Sequence, residues 1–324
     1  MDNIPFVSIV VATFNRKDLV AKCLDSLFDQ SYPKDRYEVI IINDGSIDGT
    51  EDVLKEYTNM APCKFRWFTQ KNSGQTVAFN LGIQNSRGDI VCITGDDCTA
   101  ERDWIKNIVK CYDSEEIGGV GGVIADSEPK TFIENYAKKI NLHNQEKAIN
   151  ISIIGGNSSF RKDVLDKVNG FDTFFRTGQD TEISLRILLM GYKFKFAPDA
   201  VIHHKHKATL SGLLEQYSRY GGSYARLHKK YPKYFHPGRR IKVLSKRVVK
   251  KLLIFPIKVL KAIYLGLGEG RPYFYEYIVD IATIISMMLG IIKEVISGKK
   301  FTGEKVYSRM EFIENSGSYE KWGL

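Results

Sequence analysis

The sequence predicts an α/β fold, a doubly wound, mixed but mostly parallel sheet, followed by a helical extension that associates with a membrane. Three observations predict it. Residues 7–12, 37–42 and 90–93 are β-branched and largely apolar without regular polar alternation, as strands buried on both faces are. The stretches between them carry apolar residues at helical spacing and end in short polar turns, the alternation that builds a parallel sheet. Beyond residue 210 the chemistry changes: 13 Lys and Arg fall between Arg226 and Lys261 with no Asp or Glu among them. Taking those from the net charge of +9 leaves −4 on the remainder, so the basic character is local and needs a local partner.

At 324 residues and 43% apolar composition, the chain can build one large α/β domain with an appendage. The expected division is residues 1–210, a helical basic region at 211–298, and a loosely held polar tail at 299–324. Five cysteines, without C-x-x-C spacing, read as reduced thiols of a cytosolic compartment. Residues 6–14 have no basic segment before them and no small-residue cleavage site after them, so they read as a first strand and not a signal peptide.

The first strand ends at Thr13-Phe14-Asn15, and residues 18–30 follow as a helix. A break at Tyr32-Pro33 leads to the second strand, which ends at Asn43-Asp44-Gly45-Ser46 before another amphipathic helix to Tyr57. Residues 64–68 form a short third strand. Asn72-Ser-Gly74 opens a helix through Ala78, Asn80 and Ile83, and Arg87-Gly88 turns into the fourth strand, which stops at Gly95-Asp96-Asp97. Carboxyl ends of parallel strands share one edge, where ligands of open α/β sheets bind, so these polar clusters converge. Two adjacent carboxylates repel unless something positive lies between them, and a divalent ion carrying a diphosphate answers that need. Alone, Asp96-Asp97 would read as a turn or helix cap, and Asp44 as a turn former. With neither G-x-G-x-x-G after the first strand nor G-x-x-x-x-G-K-[ST] anywhere, a Rossmann dinucleotide site or P-loop is unlikely from sequence.

The second half begins with a glycine-rich strand at 118–124 and a helix near 132–140. Residues 151–161 read as a strand running into a glycine turn at Gly155-Gly156-Asn157, where a backbone can approach a ligand closely. Gly178-Gln179-Asp180-Thr-Glu182 opens a helix, and Asp180 alone would pass for its N-terminal cap. A closing strand carries His203, His204 and His206; with no Cys or carboxylate at ligand spacing, a zinc site is disfavoured, and His203 points away from His204.

In that order and spacing, Val7-Ser-Ile-Val-Val-Ala-Thr-Phe-Asn15, Asn43-Asp-Gly-Ser46, Asn72-Ser-Gly74 with Ala78-Phe-Asn80, and Gly88-Asp89 with Gly95-Asp-Asp97 resemble the nucleotide-sugar half of family 2 glycosyltransferases, of the GT-A fold, over roughly residues 5–210. The resemblance implies an inverting glycosyltransferase using a nucleotide-diphosphate sugar and Mg²⁺ or Mn²⁺. It implies Phe14 against the nucleobase, Asp44 accepting from the base, Asp96 near ribose or diphosphate, and Thr13, Asn15, Asn72, Gly74 and Asn80 around the donor. Asp97 would hold the metal, with His204, or less plausibly His206, beside the metal and diphosphate. Gly156, Asn157 and Gln179 would face the acceptor. Asp180 would be the base that takes the acceptor hydroxyl proton. The chain departs from the family at Gly95, where D-x-D has its first Asp, at Asn43, and at Gln179, where a Glu is usual.

The family signature fades near residue 207. Residues 210–229 read as a helix, and 246–265 as a basic amphipathic helix kinked at Pro256, suited to an anionic membrane surface. Residues 277–296 are strongly apolar but interrupted by Asp280, Lys293 and Glu294; the clean run is shorter than the ~20 residues of a span. The reading is an interfacial or reentrant helix at the cytoplasmic face of the membrane, with a single span as alternative. Nucleic acid is not expected as partner, because no recognition motif accompanies the charge. The acceptor is read as a lipid-linked or cell-surface glycan. Two other readings stay open: a polyprenyl-phosphate sugar synthase, whose anionic acceptor needs no base, and a catalytically silent sugar-nucleotide binding module.

Overall fold

Branched, apolar runs at the start of the chain settle into the middle of an eight-stranded sheet. A computed structural model describes residues 4–140, 143–264, 266–298 and 301. The strands are β1 (Val7–Thr13), β2 (Tyr37–Asn43), β3 (Lys64–Thr69), β4 (Ile90–Gly95), β5 (Cys98–Ala100), β6 (Ile117–Asp126), β7 (Asn157–Arg161) and β8 (Lys193–His204). Their order across the sheet is β3-β2-β1-β4-β7-β6-β8-β5. The first four are parallel. β7 runs against both β4 and β6, β6 and β8 are parallel, and β5 runs against β8. The sheet is therefore mixed and mostly parallel, as the pattern of elements requires.

Every residue of β1 and β2 is buried. Their alternation feeds two cores, one on each face of the sheet. Val7, Ile9 and Val11 pack beneath α1 (Lys17–Phe28) and α2 (Thr50–Met60), with Leu24, Leu27, Leu54 and Trp104 of α4 (Trp104–Val109). Val10, Ile40, Ile42, Val91 and Ile93 face the other side, with Ala78, Phe79 and Ile83 of α3 (Gln75–Asn85). The remaining helices are α5 (Phe132–Lys139), α6 (Gln145–Ala148), α7 (Lys162–Lys167), α8 (Gln179–Leu189), α9 (Leu210–Lys230), α10 (Pro237–Tyr264) and α11 (Gly266–Ile296). All five cysteines are free thiols.

The chain forms two compact units: Met1–Glu128 with Asn141–Lys205, and Pro129–Ile140 with His206–Leu324. In the second, α9 and α11 meet at glycines. A Cβ at Gly221 would lie 2.0 Å from the Met287 carbonyl, and one at Gly290 would lie 1.9 Å from that of Ser218, so only glycine lets the backbones approach this closely. Arg226 and Lys229 on α9 pair with the mostly buried Glu294 of α11 at 3.0 and 2.8 Å. α5 joins this unit through Ile133 and Tyr136, packed with Leu213 and Val279.

Several expectations are revised. The Gly155-Gly156 turn precedes β7 instead of ending it, because the paired residues begin at Asn157. The short strand β5 went unforeseen; three residues give no usable period. The basic helix starts earlier than expected, at Pro237, and is 28 residues long with Pro256 inside it. The single-span alternative is overturned: among the described residues no helix is long and apolar enough to cross a membrane. The expected polar tail at 299–324 lies, Phe301 apart, outside the described residues.

The second half of α10 leaves apolar residues exposed, whereas Leu244 nearer its start is buried: Leu253 is 75%, Ile257 64%, Leu260 67% and Ile263 70% exposed. Its basic residues Arg247, Lys250, Lys251 and Lys258 line a cavity shared with α5 and α11.

Candidate active site at the carboxyl edge of the sheet

The first unit brings the ends of β1, β2 and β4 together, and a residue without an expected role sits among them. Arg16, just before α1, donates from Nη1 to Asp96 Oδ1 at 2.8 Å and to Asp97 Oδ2 at 3.1 Å. The positive charge that two adjacent carboxylates need is thus supplied partly by the protein. Burial pushes the Asp96 carboxyl above its usual range, and Arg16 offsets only part of that rise. The signal for Arg16 was its place directly after Asn15, on the same loop as the expected donor residues.

Asp97 keeps its other oxygen turned elsewhere. His204 Nε2, at the end of β8, lies 3.8 Å from Asp97 Oδ1. Two ligands at that spacing fit within the first shell of one small divalent ion, whose bonds to oxygen are near 2.1 Å. The β5–β8 ladder fixes the pair, since Cys98 sits opposite His204 and Lys205 N–H donates to the Asp97 carbonyl at 3.1 Å. His203 points the other way and reaches Glu101 at 3.1 Å, as strand alternation requires.

The donor-side residues divide into those that face solvent and those that hold the rim. Phe14 is 43% exposed at the mouth. Asn15, at φ 52°, accepts from Ile47 N–H at 2.8 Å and donates its own N–H to Ser46 Oγ at 2.9 Å, which ties the β1 loop to the β2 loop. Asp44 is buried and already committed. Its oxygens accept from Gln70 Nε2 at 2.7 Å, Ser73 N–H at 2.8 Å and Gly74 N–H at 2.9 Å. Asp44 therefore shapes the loop that carries Asn72 and Gly74 toward α3. Gly45 closes this corner at φ +81°, where a Cβ would meet Asn72 N at 2.9 Å.

Asn80 does not reach the rim. Its amide accepts from Phe171 N–H and donates to Phe171 O, both at 2.8 Å. With Thr76 Oγ1 bonded to Phe175 O at 2.5 Å, α3 is stitched to the loop before α8. Asn157 also leaves the expected set. It is fully buried, accepts from Trp104 Nε1 at 2.8 Å, and donates to Val123 O at 2.8 Å and Ala200 O at 2.9 Å. An amide with two donors and an acceptor so used has little left for a ligand.

Asp180 and its neighbours remain. Thr94 Oγ1, two residues before Asp96, donates to Gly156 O at 2.8 Å, and β4 and β7 pair at Thr94 and Asn157. Gly155 N–H donates to Asp180 Oδ2 at 3.3 Å. The carboxylate at the start of α8 is thereby set near the β4 end, although 83 residues separate it from Asp97. Burial pushes the Asp180 carboxyl up, and the N–H groups of Thr181 and Gly155 hold it back only in part. Arg186 steadies the same turn, pairing with the fully buried Glu182 at 2.7 Å and donating to Gly170 O at 2.8 Å. Beside Asp180, Gln179 Oε1 is buried and lacks a hydrogen-bond partner among the described residues. Such an acceptor invites a donor from a bound molecule.

An arrangement with a carboxylate pair and a cation at one end, and a desolvated carboxylate nearby, can hold a charged leaving group and take a proton.

The chain is similar to known proteins in sequence and in fold. "Glycosyl transferase family 2" matches residues 8–169, and "Glycosyl transferase family group 2" matches residues 90–291. A dolichyl N-acetyl-α-D-glucosaminyl phosphate 3-β-D-2,3-diacetamido-2,3-dideoxy-β-D-glucuronosyltransferase of Methanococcus voltae is 30% identical over 242 residues, 67% of this chain and 72% of the relative. Glycosyltransferase AglE of Haloferax volcanii is 28% identical, covering 62% of this chain and 67% of its own. A β-monoglucosyldiacylglycerol synthase of Nostoc is 27% identical, over 69% of this chain and 50% of the relative. Among solved structures, a mannosyltransferase of Pyrobaculum calidifontis, in complex with GDP-Man and Mn²⁺, superposes with a TM-score of 0.70 at 19% identity, over 92% of this chain and 89% of the other.

Proposed function

We propose that this chain, which belongs to glycosyl transferase family 2 and is a glycosyltransferase of the GT-A fold, moves a sugar with inversion from a nucleotide-diphosphate donor to a hydroxyl of a lipid-linked or cell-surface glycan. The observation that carries this reading is the placement of Asp180: a carboxylate raised by burial, bonded to Gly155, next to the strand end bearing Asp96 and Asp97.

Inversion needs attack on the anomeric carbon from the face opposite the diphosphate, with the acceptor proton leaving as the new bond forms. Asp180 takes that proton; burial raises its carboxyl, which makes it a better base than an exposed carboxylate. Gln179, with its unpartnered buried oxygen, accepts from a second acceptor hydroxyl and orients it. Phe14 offers a ring to the base, and the backbone around Asn15 and Ser46 lines the nucleoside. Arg16 holds Asp96 and Asp97 apart from their mutual repulsion and offers a cation where the diphosphate charge develops. Mg²⁺ or Mn²⁺ would be held by Asp97 and His204, and its part would be to neutralise the departing diphosphate.

Relatives that use dolichyl-phosphate-linked and diacylglycerol acceptors support a lipid-borne acceptor here. The exposed apolar face of α10 supports binding at a membrane surface without a span, and the cytoplasmic face is the side we propose.

The test is nucleotide release from a panel of UDP-, GDP- and dTDP-sugars, with and without Mn²⁺, with membranes as acceptor source. One donor is expected to turn over, with loss in Asp97→Ala and in Asp180→Asn, and with the opposite anomeric configuration in the product. Turnover unchanged in Asp180→Asn would replace the hydroxyl acceptor by one that is already an anion. Donor binding without release from any extract would leave a silent binding module.

A further inference from the structure

We propose that the cavity between α5, α10 and α11 is a headgroup site for a phosphate-bearing membrane lipid, whose chains would lie along the exposed apolar face of α10. The inference rests on the membrane reading above and adds a ligand to it. The cavity has a volume of about 600 Å³ and lies wholly within the second compact unit. Five cations and two carboxylates line it. Lys139 is taken up by Glu276 and Lys251 by Asp280. Arg247, Lys250 and Lys258 have no carboxylate partner among the described residues, so the lining keeps an excess of three positive charges.

The remaining contacts hold those charges in place without neutralising them. Lys258 Nζ donates to Tyr273 OH at 2.5 Å and lies 4.9 Å from the Tyr273 ring centre. Lys261 lies 5.1 Å from the same ring, so two ammonium groups gather about one aromatic side chain. Packing like charges this way costs free energy unless an anion comes between them. A phosphate meets the need with several acceptor oxygens, and the Tyr273 and Tyr277 hydroxyl-bearing rings suit a site half wet and half apolar.

The choice of a lipid over a free anion follows from continuity with α10. On a helix, Lys250 neighbours Leu253 at a spacing of three, and Ile254 of the cavity lining neighbours Ile257 at three, so the basic wall borders the apolar face. That face is exposed at Leu253, Ile257, Leu260 and Ile263. A free phosphate would cover none of it; a lipid would occupy both.

Two measurements on the full chain test this. In the first, lysine acylation is mapped by mass spectrometry with dihexanoyl phosphatidic acid, dihexanoyl phosphatidylcholine or inorganic phosphate. Slower labelling of Lys250 and Lys258 with phosphatidic acid alone, and unchanged labelling of the exposed Lys242 and Lys246, is expected. Equal protection of all four lysines would mean diffuse attraction and overturn the site. Equal protection by inorganic phosphate would overturn the lipid, and no protection would overturn both. The second measurement is flotation on phosphatidylcholine vesicles with and without phosphatidic acid. Lys250→Gln/Lys258→Gln should float on the neutral vesicles like wild type and lose about 30-fold of the extra binding to acidic ones. Leu253→Ser/Ile257→Ser should lose both. Wild type that floats on neither vesicle removes the membrane reading and the site together; wild type that floats equally on both removes the site alone.

Discussion

Asn157 offers the sharpest separation between a residue that holds the fold and one that touches a substrate. Asn157→Ala removes three buried bonds at once, from Trp104 Nε1 and to the carbonyls of Val123 and Ala200. The Trp104 indole N–H is left without an acceptor in a fully buried site, at a cost of roughly 1–3 kcal/mol, and the two carbonyls lose about 1 kcal/mol each. The expected loss is therefore about 4 kcal/mol, a large share of a domain's stability. Urea unfolding followed by near-ultraviolet circular dichroism reads it, the Trp104 signal serving as the local probe. Asn157→Asp keeps the acceptor for Trp104 but sets a carboxylate against two carbonyls, so it should be at least as damaging at pH 7 and partly relieved in acid. A variant Asn157→Ala that unfolds within 1 kcal/mol of wild type, with a raised acceptor KM, would refute this reasoning and return the side chain to the acceptor site.

Three further outcomes are expected. Asn80→Ala should cost about 2 kcal/mol and lower kcat with little change in donor KM, because its two bonds hold the loop before Asp180; a raised donor KM at unchanged kcat would restore a nucleotide contact. Asp180→Asn should lower kcat by about 10²–10⁴ and yet raise Tm at pH 7. The sign follows from burial: with its folded pKa above the unfolded value of 3.8, the carboxyl favours folding below that value and opposes it as pH rises through the folded pKa. The difference in Tm should close as pH falls toward 4, and a variant less stable at pH 7 would contradict it. Arg16→Met should lower stability without metal by about 1 kcal/mol, a figure discounted because Arg16 is 37% exposed. It should also enlarge the Tm gain on adding Mn²⁺, read by calorimetry; no change in that gain would separate Arg16 from the ion.

Strands β1, β2 and β4 were legible because they are buried on both faces, so their composition alone marks them. The helix from Gln75 and the glycine-rich β6 were legible for the same local reasons. What escaped depends on partners far along the chain. Asn80 and Asn157 sit within recognisable motifs, and a motif shows that a residue is needed without showing what it bonds. Only the fold reveals Phe171 or Trp104 at the other end. Arg16 escaped for a simpler reason, since the expected answer to two carboxylates was an ion from solution and not a side chain 80 residues earlier. The amphipathic pattern of α10 was plain in the sequence, but its orientation was not: a periodicity names two faces and does not say which one meets the protein.

The antiparallel rung at Thr94 and Asn157 has a consequence for which changes this chain can absorb. Strand pairing is quantised. Sliding β7 by one residue would turn Asn157 out of the core, and sliding it by two would carry Gly155 and its hold on Asp180 about 6.8 Å along β4, roughly the width of a sugar ring. The loop at Glu128 lies outside that ladder, and a change of length there leaves the rung in place; α5 and α6 beyond it are held by the buried Ile133, Tyr136 and Gln145 and have no such freedom. The five paired residues that follow, four of them buried, admit no insertion.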